Sequence, residues 1–219
     1  MKKLCLFDMD GTLIDPHVSI TSAMQHALAI EDIQIEDRSV LNSFIGPPIR
    51  ESLKEFYHFT EPKQVERILH NYREHFLEHG IYTNDLYPGI VEMLQQLQDA
   101  GFTLAIATSK LMLSAELIAK HLEIDRYFDL IIGCEYDGRR SSKGEVIECV
   151  LGKLDPKREY SPVIIGDRKY DIIGARETGI DSIGVTWGYG SREELEREQP
   201  GHIVESVAEL HQVLQASLN

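Results

Sequence analysis

The chain has 219 residues, with 22 Lys or Arg against 36 Asp or Glu, so its formal charge at pH 7 is −14. This acidity disfavours nucleic acid as a partner, because the phosphate backbone is bound by basic surfaces. The hydrophobic content of 42% allows a folded core, and no apolar stretch approaches the roughly 18 residues of a membrane span. Three scattered cysteines favour a reduced, cytoplasmic setting.

The start of the chain predicts a buried strand over residues 4–7, followed by the polar segment Asp8-Met9-Asp10-Gly11-Thr12. Residues 16–83 follow, and their apolar residues have a helical period without a convincing strand. Their longest helix is expected to begin at Glu61-Pro62 and to end before Gly80. Its predicted apolar face consists of Val65, Leu69, Tyr72, Phe76 and Leu77.

Beyond residue 87 short apolar runs alternate with helical patterns. The predicted strands lie at 102–107, 130–132, 163–165, 182–185 and 202–204, and the predicted helices at 90–100, 111–121, 143–151 and up to 178, with a last helix near the end. This alternation predicts an α/β fold, in which residues 1–15 and 84–219 form a parallel sheet with helices on both faces. Residues 16–83 are the predicted all-helical insertion.

Polar side chains follow three of these strands, at Asp8 and Asp10, at Thr108-Ser109-Lys110, and at Asp167. Ligands of such sheets bind beyond the carboxyl ends of the strands. Asp8 and Asp10 are two residues apart, so their carboxylates project to the same side of an extended segment. Such a pair either raises the pKa of one member or binds a cation, and both outcomes suit phosphoryl transfer. Gly11 would let the backbone approach an anion, such as a phosphoryl group, and offer it N–H groups.

Residues 8–13, Asp-Met-Asp-Gly-Thr-Leu, resemble the first motif of phosphatases of the haloacid dehalogenase (HAD) superfamily. Residues 107–110 resemble the second motif, Lys143 the third, and residues 166–171, Gly-Asp-Arg-Lys-Tyr-Asp, the acidic fourth motif. The insertion is similar to the C1 cap of the family. Four motifs in order are a specific signal. Residues 166–171 and residues 187–191, Trp-Gly-Tyr-Gly-Ser, are together most similar to phosphoglycolate-phosphatase-like members, which include HAD 5′-nucleotidases.

The resemblance implies a Rossmann-like core and a role for each motif. Asp8 would be the nucleophile that forms an aspartyl-phosphate, and Asp10 would protonate the leaving group and later activate water. Phosphoryl oxygens would be held by Thr108 and the Ser109 backbone, and Lys143 would neutralise them and orient Asp8.

The resemblance also implies Mg²⁺, held by the Asp8 carboxylate, the Asp10 carbonyl and Asp167, in keeping with the preference of this ion for oxygen ligands. Asp171 is either an outer ligand or a helix cap. The expected partner is a small phosphate ester, of phosphoglycolate or 5′-nucleotide type, and neither a nucleic acid nor a membrane is expected.

Several alternatives stay open at this point. A phosphomutase resembling β-phosphoglucomutase would use Arg50 to meet a second anionic group, whereas a solvated Arg50 would have no such role. A phosphorelay receiver shares the acidic pair, but its phosphoacceptor lies at mid-chain. His75 and His79 match the HxxEH pattern of zinc peptidases, or they complement a helix dipole.

Two pairs of residues in the later motifs also have alternative roles. Arg168 and Lys169 either add positive field near the phosphate or face solvent. Trp187 and Tyr189 either stack on a base or pack their loop.

Overall fold

The computed structural model describes residues 2–216, which divide into two compact units. Residues 2–15 and 86–216 form the first, and Pro16–Asp85 forms the second. Within the described range, no helix has the length and apolar character required to cross a bilayer. The three cysteines are free, and a reduced, cytoplasmic setting stays a prediction.

The strands are β1 (Lys2–Phe7), β2 (Ile14–Asp15), β3 (Asp85–Leu86), β4 (Thr103–Leu111), β5 (Leu130–Cys134), β6 (Tyr160–Gly166), β7 (Asp181–Val185) and β8 (His202–Val204). The helices are α1 (His17–Ile30), α2 (Ile49–Tyr57), α3 (Pro62–Glu78), α4 (Ile90–Asp99), α5 (Met112–His121), α6 (Lys143–Leu154), α7 (Lys169–Thr178), α8 (Arg192–Glu198) and α9 (Val207–Ala216). Short 3₁₀ turns lie at Arg38–Phe44, Gly80–Tyr82 and Asp125–Tyr127.

The first unit contains one six-stranded parallel sheet in the order β5-β4-β1-β6-β7-β8. Strand β1 lies between β4 and β6, where Phe7 pairs with Ile106 on one side and Ile165 on the other. Residues 4–7 are fully buried, as expected for a central parallel strand covered on both faces. The predicted α/β fold with a Rossmann-like parallel sheet is confirmed.

Strand β4 is longer than predicted and contains the second motif. The strand continues to Leu111, because Leu111 pairs with Cys134 of β5 beyond an irregularity that follows Ala107. Residues 108–110 therefore belong to the end of the strand. Helix α5 begins one residue later than predicted, at Met112.

The second unit contains α1, α2 and α3. Helix α3 begins as predicted, with Pro62 in its first turn and the Glu61 carboxylate accepting hydrogen bonds from two backbone N–H groups. Its predicted buried face is wrong at one position, since Leu77 is only half-buried and Ile68 is fully buried. The buried face of α3 therefore includes Ile68 as well as Leu69, and it does not include Leu77.

Two further features of the first unit bear on the site. Helix α8 was not predicted, because its seven residues contain a single apolar side chain, Leu195. The chain enters the second unit after Asp15 and returns at Leu86. Beside these crossings, the N–H of Tyr87 donates a hydrogen bond of 3.1 Å to the carbonyl oxygen of Leu13.

Candidate active site

The polar residues that follow β1 and β6 meet those at the end of β4 at one edge of the sheet, as predicted, because these three strands are neighbours. The chain turns immediately after β1, where the N–H of Asp8 still donates to the Ile165 carbonyl oxygen at 2.8 Å. Asp8, Asp10 and Asp167 are all buried beyond the strand ends. This edge is where ligands of parallel α/β sheets bind.

Lys143, the first residue of α6, joins the first and fourth motifs. Its Nζ lies 2.9 Å from Oδ1 of Asp8 and 2.8 Å from Oδ1 of Asp171, and it donates to the Ala107 carbonyl oxygen at 2.9 Å. The side chain is 3% exposed. Burial opposes its charge, but the carboxylates of Asp171 and Asp8 outweigh burial and raise the pKa of Lys143. The ammonium group of Lys143 is therefore charged and is held beside the Asp8 carboxylate by these contacts.

Three carboxylates form a buried cluster around this lysine. Asp8, Asp167 and Asp171 each offer an oxygen atom within 4.8 Å of the others. Asp171 also accepts a hydrogen bond of 3.2 Å from the N–H of Arg168 at the start of α7. The carboxylate of Asp171 therefore caps α7, as one of its two alternatives states, and its role as an outer metal ligand stays a prediction.

Crowding of these carboxylates changes how readily they ionise. Burial, followed by the charges of Asp171 and Asp8, raises the pKa of Asp167 to about 8. Burial also raises the pKa of Asp171 to about 6, although Lys143 acts in the opposite direction. Within residues 2–216, Oδ1 of Asp167 is buried without a hydrogen-bond partner. A buried carboxylate oxygen of this kind is stabilised by a bound cation or by a proton.

A second buried cation, Lys110, lies beside Asp10; its place in the second motif predicted that it lies near the site but gave it no role there. Nζ of Lys110 lies 2.7 Å from Oδ2 of Asp10, and both side chains are nearly buried, at 6% and 10% exposure. Burial raises the pKa of Asp10, and Lys110 opposes this shift. Thr108 and Lys110 are two residues apart at the end of β4, so period-two spacing was the signal that could have indicated Lys110.

The other predicted phosphate-binding residues line the same edge. Thr108 is buried, and its Oγ1 accepts a hydrogen bond of 3.2 Å from the N–H of Lys110. Ser109 is half-buried beside it. The N–H of Gly11 differs from the expectation, because it donates to the Ile14 carbonyl oxygen at 2.9 Å within the turn. A glycine is required there by its φ of +79° and by the Asp167 carboxylate, which a Cβ would overlap.

The contacts of three further residues bear on the alternatives that the sequence left open. Nε of Arg168 pairs with Oε1 of Glu194 at 3.0 Å, and the N–H of Lys169 donates to the same oxygen at 2.8 Å, so a carboxylate balances Arg168. Trp187 packs its loop, because its Nε1 donates to the Thr12 carbonyl oxygen at 3.1 Å.

The residues of the two rival hypotheses lie within the second unit. Arg50 pairs with Glu66 at 2.6 Å and is 55% exposed, and its contact with substrate stays a prediction. His75 stacks on His26, with ring centroids 4.3 Å apart, and His79 lies 4.7 Å away. In the part of the chain that the structure describes, the carboxylate cluster is the one group of three metal-ligating side chains, and it contains no histidine.

The haloacid dehalogenase-like hydrolase family model matches residues 5–185, which span β1, the insertion and β7. The chain belongs to this family. A protein named 5′-nucleotidase, from Pseudomonas aeruginosa, is 42% identical over 96% of this chain and 95% of its own length. A crystal structure of a predicted phosphatase from Clostridium acetobutylicum is 40% identical, covers 99% of both chains and has a TM-score of 0.94. Tyrosine-protein kinase PtkA of Mycobacterium tuberculosis is 35% identical over 89% of this chain and 66% of its own length.

HAD membership confirms the resemblance inferred from the four motifs and favours a hydrolase over a receiver module. The relatives support a phosphoric monoester hydrolase of the HAD phosphatase type. The assignment of Asp8, Asp10, Thr108, Lys143 and Asp167 to the motifs of the family stays a prediction from the sequence.

Proposed function

We propose that this chain is a Mg²⁺-dependent phosphomonoesterase that hydrolyses small phosphorylated metabolites through an aspartyl-phosphate on Asp8. The observation that carries the proposal is the cluster of Asp8, Asp167 and Asp171 within 4.8 Å, with the ammonium of Lys143 paired to two of its members. A nucleophilic carboxylate, a fixed cation and a cation-binding group are thereby combined at one site.

The charges of the site favour a divalent cation. Four buried carboxylates, those of Asp8, Asp10, Asp167 and Asp171, are accompanied by two ammonium groups, those of Lys143 and Lys110. The donor set consists of hard oxygen atoms, which is the chemistry Mg²⁺ prefers. Asp8, Asp167 and the Asp10 carbonyl would hold the ion, with Asp171 outside them. When bound, Mg²⁺ supplies positive charge that neutralises the phosphoryl oxygens.

In the first half-reaction, a carboxylate oxygen of Asp8 attacks phosphorus. Lys143 and the N–H of Met9 both contact Oδ1 of Asp8, at 2.9 and 2.7 Å, which leaves Oδ2 as the attacking atom. A bond forms between Oδ2 and phosphorus while the bond to the ester oxygen breaks. The carboxyl group of Asp10 gives its proton to that leaving oxygen, and the alcohol is released.

In the second half-reaction, water attacks the phosphorus of the aspartyl-phosphate. The Asp10 carboxylate accepts a proton from this water, so Asp10 returns to its protonated state as inorganic phosphate leaves and the Asp8 carboxylate is restored. Lys110, at 2.7 Å from Asp10, stabilises the ionised form that this step needs. Asp10 thus acts as the general acid in the first half-reaction and as the general base in the second.

The substrate class follows from the relatives and the resemblance. The relative named 5′-nucleotidase, at 42% identity, favours a 5′-nucleotide, and the resemblance adds phosphoglycolate. A pyrophosphatase from Halalkalibacterium halodurans, 28% identical over 94% of this chain, adds pyrophosphate to the panel to be assayed. We propose that the second unit, Pro16–Asp85, serves as the cap that excludes water during turnover.

The proposal is tested by trapping the covalent intermediate. Wild-type protein with Mg²⁺ and p-nitrophenyl phosphate is quenched in acid, and its intact mass is measured. We expect added mass of one phosphoryl group on Asp8, greater accumulation in Asp10→Asn because hydrolysis of the intermediate is slowed, and none in Asp8→Asn. Turnover should fall by about 10³-fold or more in Asp8→Asn.

Asp181→Asn is the matched control, because Asp181 is exposed at the opposite, amino end of β7. It should retain wild-type turnover and labelling. Wild-type turnover by Asp8→Asn would overturn the proposal.

A second experiment separates the hydrolase from the phosphomutase alternative. With sugar phosphates as substrates, a hydrolase releases inorganic phosphate, whereas a phosphomutase transfers the phosphoryl group to another position of the sugar.

A further inference from the structure

The loop between β7 and α8 contacts the candidate metal site through its backbone. The N–H of Tyr189 donates a hydrogen bond of 2.7 Å to Oδ2 of Asp167. This bond fixes one oxygen of the carboxylate, and the other, Oδ1, is the buried atom without a hydrogen-bond partner among residues 2–216. The peptide of Tyr189 therefore determines which oxygen of Asp167 is left for a cation.

Two glycines allow the loop to come this close. A Cβ at Gly188 would overlap the Gly11 carbonyl oxygen and the Asp167 side chain, and a Cβ at Gly190 would overlap the Asp167 carbonyl oxygen. The loop is also fixed at its ends, where the N–H of Thr186 donates to Val204 and Ser191 caps α8. Its backbone is thus packed directly on Asp167.

The side chain of Tyr189 extends in a second direction, to Asp15. Its hydroxyl donates a short hydrogen bond to Oδ1 of Asp15, the last residue of the first unit before the chain enters the second. Burial and the neighbouring Asp15 carboxylate raise the pKa of Tyr189, so the phenol is a donor at neutral pH. One residue therefore links Asp15 and Asp167, which lie on different segments of the chain.

We propose that Tyr189 is a positioning residue for the metal site: its phenol, anchored on Asp15, holds its peptide N–H against Asp167 so that Oδ1 faces the cation. The inference rests on the proposed function only in that Asp167 binds the metal. Partners that orient a ligand commonly change metal affinity by about 10–100-fold when they are removed. The phenol does not contact Asp167 itself and acts through the peptide N–H of Tyr189, so we expect its removal to change metal affinity by less than the upper end of this range.

The test measures metal affinity without turnover. Mn²⁺ binding to the purified full-length chain is titrated by water-proton relaxation, and Mg²⁺ affinity by its displacement of Mn²⁺. We expect Tyr189→Phe and Asp15→Asn each to weaken binding by about fivefold or more. The double variant should be no weaker than either single variant, because both substitutions remove the same hydrogen bond. Tyr127→Phe, the same chemical change in the turn Asp125–Tyr127, should bind as wild type does.

A purely structural role would lower the melting temperature of Tyr189→Phe and leave its metal affinity unchanged, and that result would overturn the inference. Additive losses in the double variant would overturn it too, since the two residues would then act separately. Failure of the wild-type chain to bind Mn²⁺ would instead overturn the metal site of the proposed function. Asp15→Asn keeps the test decisive if Tyr189→Phe does not fold, because it removes the same contact from the other side.

Discussion

Nζ of Lys110 lies 2.7 Å from Oδ2 of Asp10, in an ion pair that is almost completely buried. Removing one member of such a pair leaves a charge without a partner in a poorly solvated place, which costs about 3–5 kcal/mol. We therefore expect Lys110→Met to lower the free energy of unfolding by about 3 kcal/mol, measured by urea denaturation. It should also lower kcat by about 10²-fold, because ionised Asp10 is needed for the second half-reaction.

The control for this prediction is the double variant Lys110→Met with Asp10→Asn. An amide carries no charge, so the double variant should regain part of the lost stability while its turnover stays low. If Lys110→Met unfolds at the same urea concentration as wild type, the pair does not contribute as we describe.

A second prediction concerns metal binding. A ligand present at about 100 times its Kd stabilises the folded state by about 2.7 kcal/mol, so saturating Mg²⁺ should raise the melting temperature of wild-type protein, and EDTA should remove both the increase and the activity. Asp167→Asn replaces a cluster carboxylate with a neutral amide and should lose most of the Mg²⁺-dependent shift. Asp181→Asn should keep it, and an equal shift in both variants would exclude Asp167 as a ligand.

A third prediction compares two glycines. Gly188 has no space for a Cβ, because the Gly11 carbonyl oxygen and Asp167 occupy it, whereas no atom lies within 4 Å of a Cβ built on Gly152 in α6. Gly188→Ala should destabilise the fold by about 1–3 kcal/mol. Gly152→Ala should stabilise it by about 0.5–1 kcal/mol, because alanine favours a helix interior. Thermal unfolding measures both, and equal effects would contradict the packing described for the loop.

The fourth prediction is a pH dependence of the second unit. Burial, followed by the nearby His26 and His79, lowers the pKa of His75 below its ordinary value of 6.5, although Glu78 opposes the shift. The unfolded chain then binds the proton more readily, so stability is lost as the pH falls through about 6.5. His75→Gln should reduce this loss, measured as the change in melting temperature between about pH 5 and 8.

The control is His202→Gln, which replaces an exposed histidine of β8 and should follow the wild-type pH dependence. An unchanged slope in His75→Gln would show that another group titrates in this range.

The sequence predicted the features that depend on short-range signals. The apolar run before Asp8 and the run before Asp167 each ended a strand at a glycine-containing acidic segment, and Gly179 ended α7 with a φ of +70°. Helix α8 was not predicted, because it lacks such a signal: one leucine does not define a periodic apolar face.

The partners of individual side chains could not be predicted in this way. Lys110 and Asp10 are 100 residues apart, and they meet only because β4 lies beside β1 in the sheet. Tyr189 reaches Asp167 because β7 lies beside β6 and because Gly188 and Gly190 leave room for the loop. These contacts follow from the strand order, which periodicity alone does not specify.

The hydrogen bond between Tyr87 and Leu13 has a consequence for the history of the fold. It brings the outgoing and returning segments of the first unit together, so the intervening residues are attached at neighbouring points. An insertion with adjacent ends can be gained, shortened or exchanged without rethreading the sheet that receives it. One helical insertion can therefore be replaced by another in the course of evolution without moving the residues around Asp8.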